Sequence, residues 1–159
     1  MQDKLLKLLK QNARLTNAEL AAMLGVLESE VGDAVDKLEK SGVIQGYTAI
    51  INEDKVDGDS VTAIIEVKVT PNEKYGYKNI AKIIAKFPEV ESVHLMSGGY
   101  DLSVIVKCDS LKKVGRLVDE QISTINGVLS IATHFIIGHY KEMGVDFAPE
   151  EDERGLYTV

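Results

Sequence analysis

The chain has 159 residues, enough for one ordinary domain or two small ones, and its 45% hydrophobic and 27% charged residues are those of a globular protein. No apolar run reaches the roughly 18 residues of a membrane span, and the single Cys108 excludes an internal disulfide or a multi-cysteine metal site. The net charge of −7 is spread unevenly: residues 1–60 hold seven Lys/Arg against eleven Asp/Glu, residues 61–140 nine against eight, and residues 141–159 two against six. No part is strongly basic, which argues against tight nonspecific binding to nucleic acid. The N-terminus opens into an amphipathic pattern and not a signal peptide, so a cytoplasmic protein is expected.

In chain order, Leu5, Leu6, Leu8 and Leu9 recur at helical spacing opposite Lys4, Lys7 and Lys10, which predicts a helix ending near Asn12. Thr16-Asn17-Ala18-Glu19 is a capping-box pattern that opens a second helix, stopped by Gly25. A third helix is expected from Glu28 to Ser41, with Val31, Ala34, Val35 and Leu38 inward and Gly42 at its end. A strand is then expected over Val43–Ile51. Three helices with a tight Gly turn between the last two are the plan of a helix-turn-helix module or of a plain three-helix bundle.

Residues 47–60 read as strand and linker, Asn52 to Ser60 being polar and turn-rich. From there the order is strand Val61–Val69, ended by Pro71; a helix with Tyr77, Ile80, Ala81, Ile83, Ile84 and Phe87 on one face; and strands Ser92–Met96 and Leu102–Val106. A helix capped by Asp109 follows, carrying Leu111, Val114, Leu117, Val118, Ile122 and Ile125, and then a last strand, Val128–Ile137. The fold class is α+β: an N-terminal three-helix helix-turn-helix domain (1–46), then a C-terminal βαββαβ ferredoxin-like domain (61–140) and an acidic tail (141–159). Such a sheet has helices on one face; no further element is left for the other, so a second copy of the domain, packed sheet to sheet, is the expected cover. RNA on that face would need exposed aromatics on the middle strands, which His134-Phe135 do not supply.

Between the two middle strands lies Ser97-Gly98-Gly99-Tyr100-Asp101. Paired glycines allow positive φ and a tight hairpin. They also let a ligand approach the main chain, and amide donors beside one carboxylate are what a free amino acid needs at its two ends. Both readings stand on these five residues alone.

Glu19-Leu20-Ala21, Leu24-Gly25 and Leu38-Glu39-Lys40-Ser41-Gly42-Val43-Ile44-Gln45-Gly46-Tyr47 resemble the Lrp/AsnC, or feast/famine, family, as do Phe87-Pro88-Glu89-Val90, Ser97–Leu102 and Gly127–Thr133. The resemblance covers about residues 3 to 140. It implies a transcription regulator that binds double-stranded DNA, with Asn17, Ser29, Glu30, Asp33, Ala34, Lys37 and Lys40 as its DNA-binding residues. It further implies a dimer, assembling to rings or octamers, with a small effector, usually an amino acid, in a cleft between dimers. Carried over, the effector residues are Met96, Ser97, Gly98, Gly99, Tyr100, Asp101, Thr133 and His134. In this context the ligand reading of the glycine loop is preferred. The third helix departs from the family pattern: Leu27 stands where a Ser usually opens it and Ala34 where an Arg usually sits, and Glu28, Glu30, Asp33, Asp36 and Glu39 face only Lys37 and Lys40. An oligomeric sensing or assembly protein that has lost DNA binding is therefore the alternative. No nucleophile, phosphate-loop or metal motif is present, so neither an enzyme nor a cofactor is expected.

Overall fold

A computed structural model describes residues 1–56, 60–70 and 76–147. Pro71, residues 57–59 of the linker and the tail from residue 148 lie outside the described residues. The chain divides into two compact units, Met1–Ile51 and Asn52–Val159.

In the first unit, α1 (Gln2–Gln11), α2 (Asn17–Leu24) and α3 (Glu28–Lys40) bury Leu5, Leu20, Ala21, Val31 and Leu38 in one core. The α2 start is the expected capping box: Glu19 N–H donates to Thr16 Oγ1 at 3.2 Å and Thr16 N–H to Glu19 Oε2 at 2.7 Å. The Thr16 N–H, and second the Thr16 hydroxyl donating to the same oxygen at 2.8 Å, hold the Glu19 carboxyl below its ordinary value. Gly25, at φ +68°, ends α2 in the left-handed region that only glycine adopts freely. Gly42 does the same after α3 (φ +74°), and the amides of Val43 and Ile44 turn back to Leu38 O.

The strand expected over Val43–Ile51 is not formed. Ile44 packs on the helical core, and the Tyr47 hydroxyl donates to Glu39 Oε1 at 2.8 Å. A strand needs a neighbour for its amides and carbonyls, and no described segment of this chain pairs with it.

In the second unit, β1 (Val61–Val69), α4 (Tyr77–Ile84), β2 (Val90–Leu95), β3 (Leu102–Cys108), α5 (Leu111–Arg116) and β4 (Val128–Phe135) give the expected βαββαβ order. The sheet runs β2-β3-β1-β4, antiparallel throughout. A short hairpin, β5 (Lys141–Glu142) and β6 (Val145–Asp146), follows. Period-two alternation sends Ala63, Ile65, Val67 and Val69 of β1 and Leu102, Val104, Val106 and Cys108 of β3 to the helix face. They are buried there with Ile80 and Ile84 of α4 and with Val114, Leu117 and Ile122. The opposite face carries Thr62, Ile64, Glu66 and Lys68 of β1 beside Ser103, Ile105 and Lys107 of β3, with Ile64 opposite Ile105.

Three details differ from the sequence reading. Ser110, not Asp109, caps α5, its Oγ accepting Lys113 N–H, while Asp109 pairs with Lys113 Nζ at 3.0 Å. The helix after β3 is not one α-helix: α5 gives way to a π-helical turn, Leu117–Ile122. Leu117 and Ile122 are both buried, yet five positions in an α-helix turn a side chain by about 140°; the wider turn brings both inward. Finally, Ile83 and Leu111 are exposed at 44% and 59%, outside the apolar face assigned to them.

Candidate DNA-reading helix and effector loop

The outward surface of α3 is set by what its core side takes. Val31, Ala34, Val35 and Leu38 fall at spacings of three and four and pack inward. Ala34, among the expected DNA-binding residues, is half-buried and packs against the helical core. Ser29, Glu30, Asp33, Lys37 and Lys40 are exposed. Asn17, the first residue of α2, lies beside them: a Cβ added to Gly32 of α3 would sit 3.5 Å from Asn17 Nδ2.

The acidity of α3 is partly used up within the unit. Glu30 Oε2 accepts Leu27 N–H at 2.9 Å, the half of a capping box in which the third helical residue reaches back to the cap amide; the acceptor that a Ser or Asp would offer the helix amides is absent at Leu27. Its place three residues after the cap was a legible signal. Asp36 pairs with Lys40 at 3.2 Å, an exposed pair of small energetic weight. Glu39 accepts the Tyr47 hydroxyl, which is pushed above its ordinary value by desolvation first and by Glu39 second. Glu28 and Asp33 are the acids of α3 that no described partner occupies.

In the second unit, Met96 N–H donates to Asp101 O at 2.8 Å and closes a loop over Ser97–Tyr100. Gly98 and Gly99 do not use positive φ; among the described residues the glycines that do are Gly25, Gly42, Gly127 and Gly144. The two-residue primed turn is therefore replaced by a longer loop. A Cβ at either glycine would meet nothing within 4 Å, so the loop backbone stands open to an approaching group.

Asp101 is tied to β1 twice. Its N–H donates to Val67 O at 3.1 Å, and its Oδ2 accepts Val69 N–H at 2.8 Å. The carboxylate thereby supplies the acceptor that the next rung of the β1–β3 ladder would have taken from a backbone carbonyl. Sequence reasoning missed this tie because the partner is a backbone amide 32 positions away.

Met96 through Asp101 form one continuous surface, but Thr133 and His134 are not brought to it within the chain. They lie on β4, separated from the loop-bearing strands by β1, across two strand spacings of about 5 Å each. Consecutive strand residues face opposite ways. Thr133 opposes Ile65, and His134 Nε2 stands 3.6 Å from Glu66 Oε2 on the open face.

Cys108 is 3% exposed and its thiol is pushed up, by burial first and by Glu89 second, which suits an inert core group. Among the described residues no group of three or more His, Cys, Asp or Glu is arranged to hold a metal, and no helix is long and apolar enough to cross a membrane. A cleft of about 540 Å³ between α4 and the π-helical turn is lined by Ile80, Ile83, Phe87, Gln121 and Ile125; no residue of the glycine loop enters it.

Residues 4–45 match a family profile described as a winged helix-turn-helix DNA-binding domain, and residues 62–146 one described as the Lrp/AsnC ligand-binding domain. The chain is 44% identical to the uncharacterized HTH-type transcriptional regulator YugG of Bacillus subtilis, over 98% of this chain and 94% of that protein. It is 31% identical to the HTH-type transcriptional regulator FL11 of Pyrococcus horikoshii, over 89% and 91% of the two chains. Its fold is shared with the transcriptional regulator NMB0573 of Neisseria meningitidis, crystallised as an L-Met complex, with a TM-score of 0.71, 23% identity, and 89% of this chain and 90% of that one covered. The chain belongs to the Lrp/AsnC family of DNA-binding transcription regulators, with a helix-turn-helix module followed by an effector-binding domain, and not to a family of enzymes.

Proposed function

We propose that this regulator senses an amino acid at the Met96–Asp101 loop and answers by a change of oligomer geometry that alters its hold on DNA. The observation that carries the reading is the loop itself: open glycine backbone beside a carboxylate whose Oδ2 is already held by Val69 N–H. Loop amides take the α-carboxylate of the ligand, and Asp101 Oδ1 takes its ammonium. Met96 and Tyr100 supply apolar contact. The L-Met bound to NMB0573 supports the ligand class at the level of a shared fold. Thr133 and His134, remote from the loop in their own chain, belong to the site only as a neighbouring subunit's contribution.

The assembly we propose is a dimer built on the open sheet face around Ile64 and Ile105, with dimers joining in larger rings up to an octamer. Ser29, Asp33, Lys37 and Lys40 of α3, with Asn17 of α2, face the DNA in the cytoplasm, and Glu30 orders the start of α3. An effector between dimers favours one spacing of the reading helices, and only one spacing fits successive half-sites.

The chain has no Trp, so calorimetric titration with single amino acids, paired with light-scattering mass, is the direct test. Saturable binding of one side-chain class together with a change of mass distribution is expected. A monomer at micromolar concentration, or no binding by any amino acid up to about 1 mM, contradicts the reading.

A further inference from the structure

The reading end of α3 carries an apolar side chain that the fold does not use. Leu27 occupies the cap position before Glu28 and is 68% exposed, outside the core of the first unit. A cap position ordinarily carries Ser, Thr, Asp or Asn, because those side chains accept a helix amide. Here Glu30 reaches back to the Leu27 amide, which helps to order the start of the helix while the cap side chain points to solvent. Met23, the exposed apolar side chain on the other flank of the Gly25 turn, belongs to α2. In a helix-turn-helix docked on DNA that first helix crosses the backbone, whereas the N-terminal residues of the second meet base edges in the major groove.

What Leu27 can meet there follows from the chemistry of the groove. Base edges present hydrogen-bond acceptors, amino donors and one apolar group, the thymine C5-methyl. A leucine pressed on an acceptor or donor strips it of water and gives nothing back. Against the methyl, both partners lose apolar surface to water. We infer that Leu27 is a specificity-determining residue that reads a thymine methyl in each half-site. The inference rests on the DNA-binding reading of α3. A serine at this position would instead offer a hydroxyl to several bases, so the apolar residue narrows the choice.

The test uses the full chain and a duplex selected from a random pool. Each thymine of the selected site is replaced in turn by deoxyuracil, which removes the C5-methyl and keeps base pairing. One replacement per half-site is expected to weaken binding about fourfold, the affinity equivalent of one buried methyl. In Leu27→Ala the same replacement is expected to have no effect, with thermal melting reporting that the exposed substitution leaves the unit folded. A selected site indifferent to every replacement overturns the inference and leaves DNA binding intact. Sensitivity that persists unchanged in Leu27→Ala overturns it also, since another residue then reads the methyl. Failure to select any sequence overturns the DNA-binding reading and this inference with it.

Discussion

The carboxylate of Asp101 accepts the backbone N–H of Val69 at 2.8 Å, so the acid that follows the glycine loop is also the clasp that fastens the loop to the end of β1. One side chain serves the fold with Oδ2, and under the proposed function its Oδ1 takes the ligand's ammonium. The two roles separate by substitution. Asp101→Asn keeps a carbonyl acceptor for Val69 and is expected to melt within about 2 °C of the wild type, yet to bind its amino acid roughly tenfold or more weakly through loss of a charge-assisted bond. Asp101→Ala leaves the Val69 amide unpaired and is expected to cost about 1–3 kcal/mol of stability as well. Equal affinity of Asp101→Asn and wild type would make Asp101 a clasp alone.

On the DNA side, Glu30 and Asp33 look alike in sequence and differ in structure. Asp33→Lys adds positive charge on the outward face of α3 without touching a cap. It is expected to strengthen binding to random duplex several-fold at low salt, with a steeper salt dependence. Glu30→Lys removes the carboxylate from the Leu27 amide and is expected to destabilise the first unit by about 1 kcal/mol, which offsets any gain in charge. Denaturant melts beside nitrocellulose binding assays separate these outcomes. No gain from Asp33→Lys at low salt would show that charge is not what limits this helix on DNA.

The α2 cap carries a pH signature. The Glu19 carboxyl is held below its ordinary value by Thr16, backbone first and hydroxyl second, so the folded state favours its ionised form. The cap's contribution is present above the unfolded carboxylate value and is lost as pH falls through the folded one. Glu19→Ala is therefore expected to lower the melting temperature of the first unit at pH 7, and the difference from wild type is expected to shrink as pH drops below about 4. A difference that stays constant to pH 3 would assign the effect to packing and not to the ionised cap.

Much of the architecture was legible because it is local or periodic. Thr16 and Glu19 announced the α2 start by their spacing, and the alternating, β-branched run Val61–Val69 and the apolar run Leu102–Val106 announced strands. What failed depends on partners remote in sequence or outside the described chain. Val43–Ile51 has strand composition and no described neighbour to pair with, so it forms no strand and is tied to α3 through Tyr47 and Glu39. The π-helical turn at Leu117–Ile122 answers to the packing of two particular side chains, a demand that the α-helical period cannot express. At the candidate sites, the spacing of Glu30 from Leu27 and the period of Ala34 on α3 were legible, but nothing local could tell that Asp101 already holds an amide. Thr133 and His134 came with the family resemblance, and sheet order keeps them from the loop in their own chain.

The central claim is that one molecule couples an amino acid to a DNA sequence. The most direct measurement is fluorescence anisotropy of a duplex selected by the protein from a random pool, titrated with the full chain in the absence and in the presence of the amino acid found by calorimetry. The account predicts a shift of at least about threefold in the binding midpoint with that amino acid, which in Asp101→Asn, still able to bind the duplex, needs roughly tenfold or more amino acid. A midpoint unmoved by a bound amino acid would contradict the coupling, and with it the proposal that the glycine loop governs how the reading helices meet DNA.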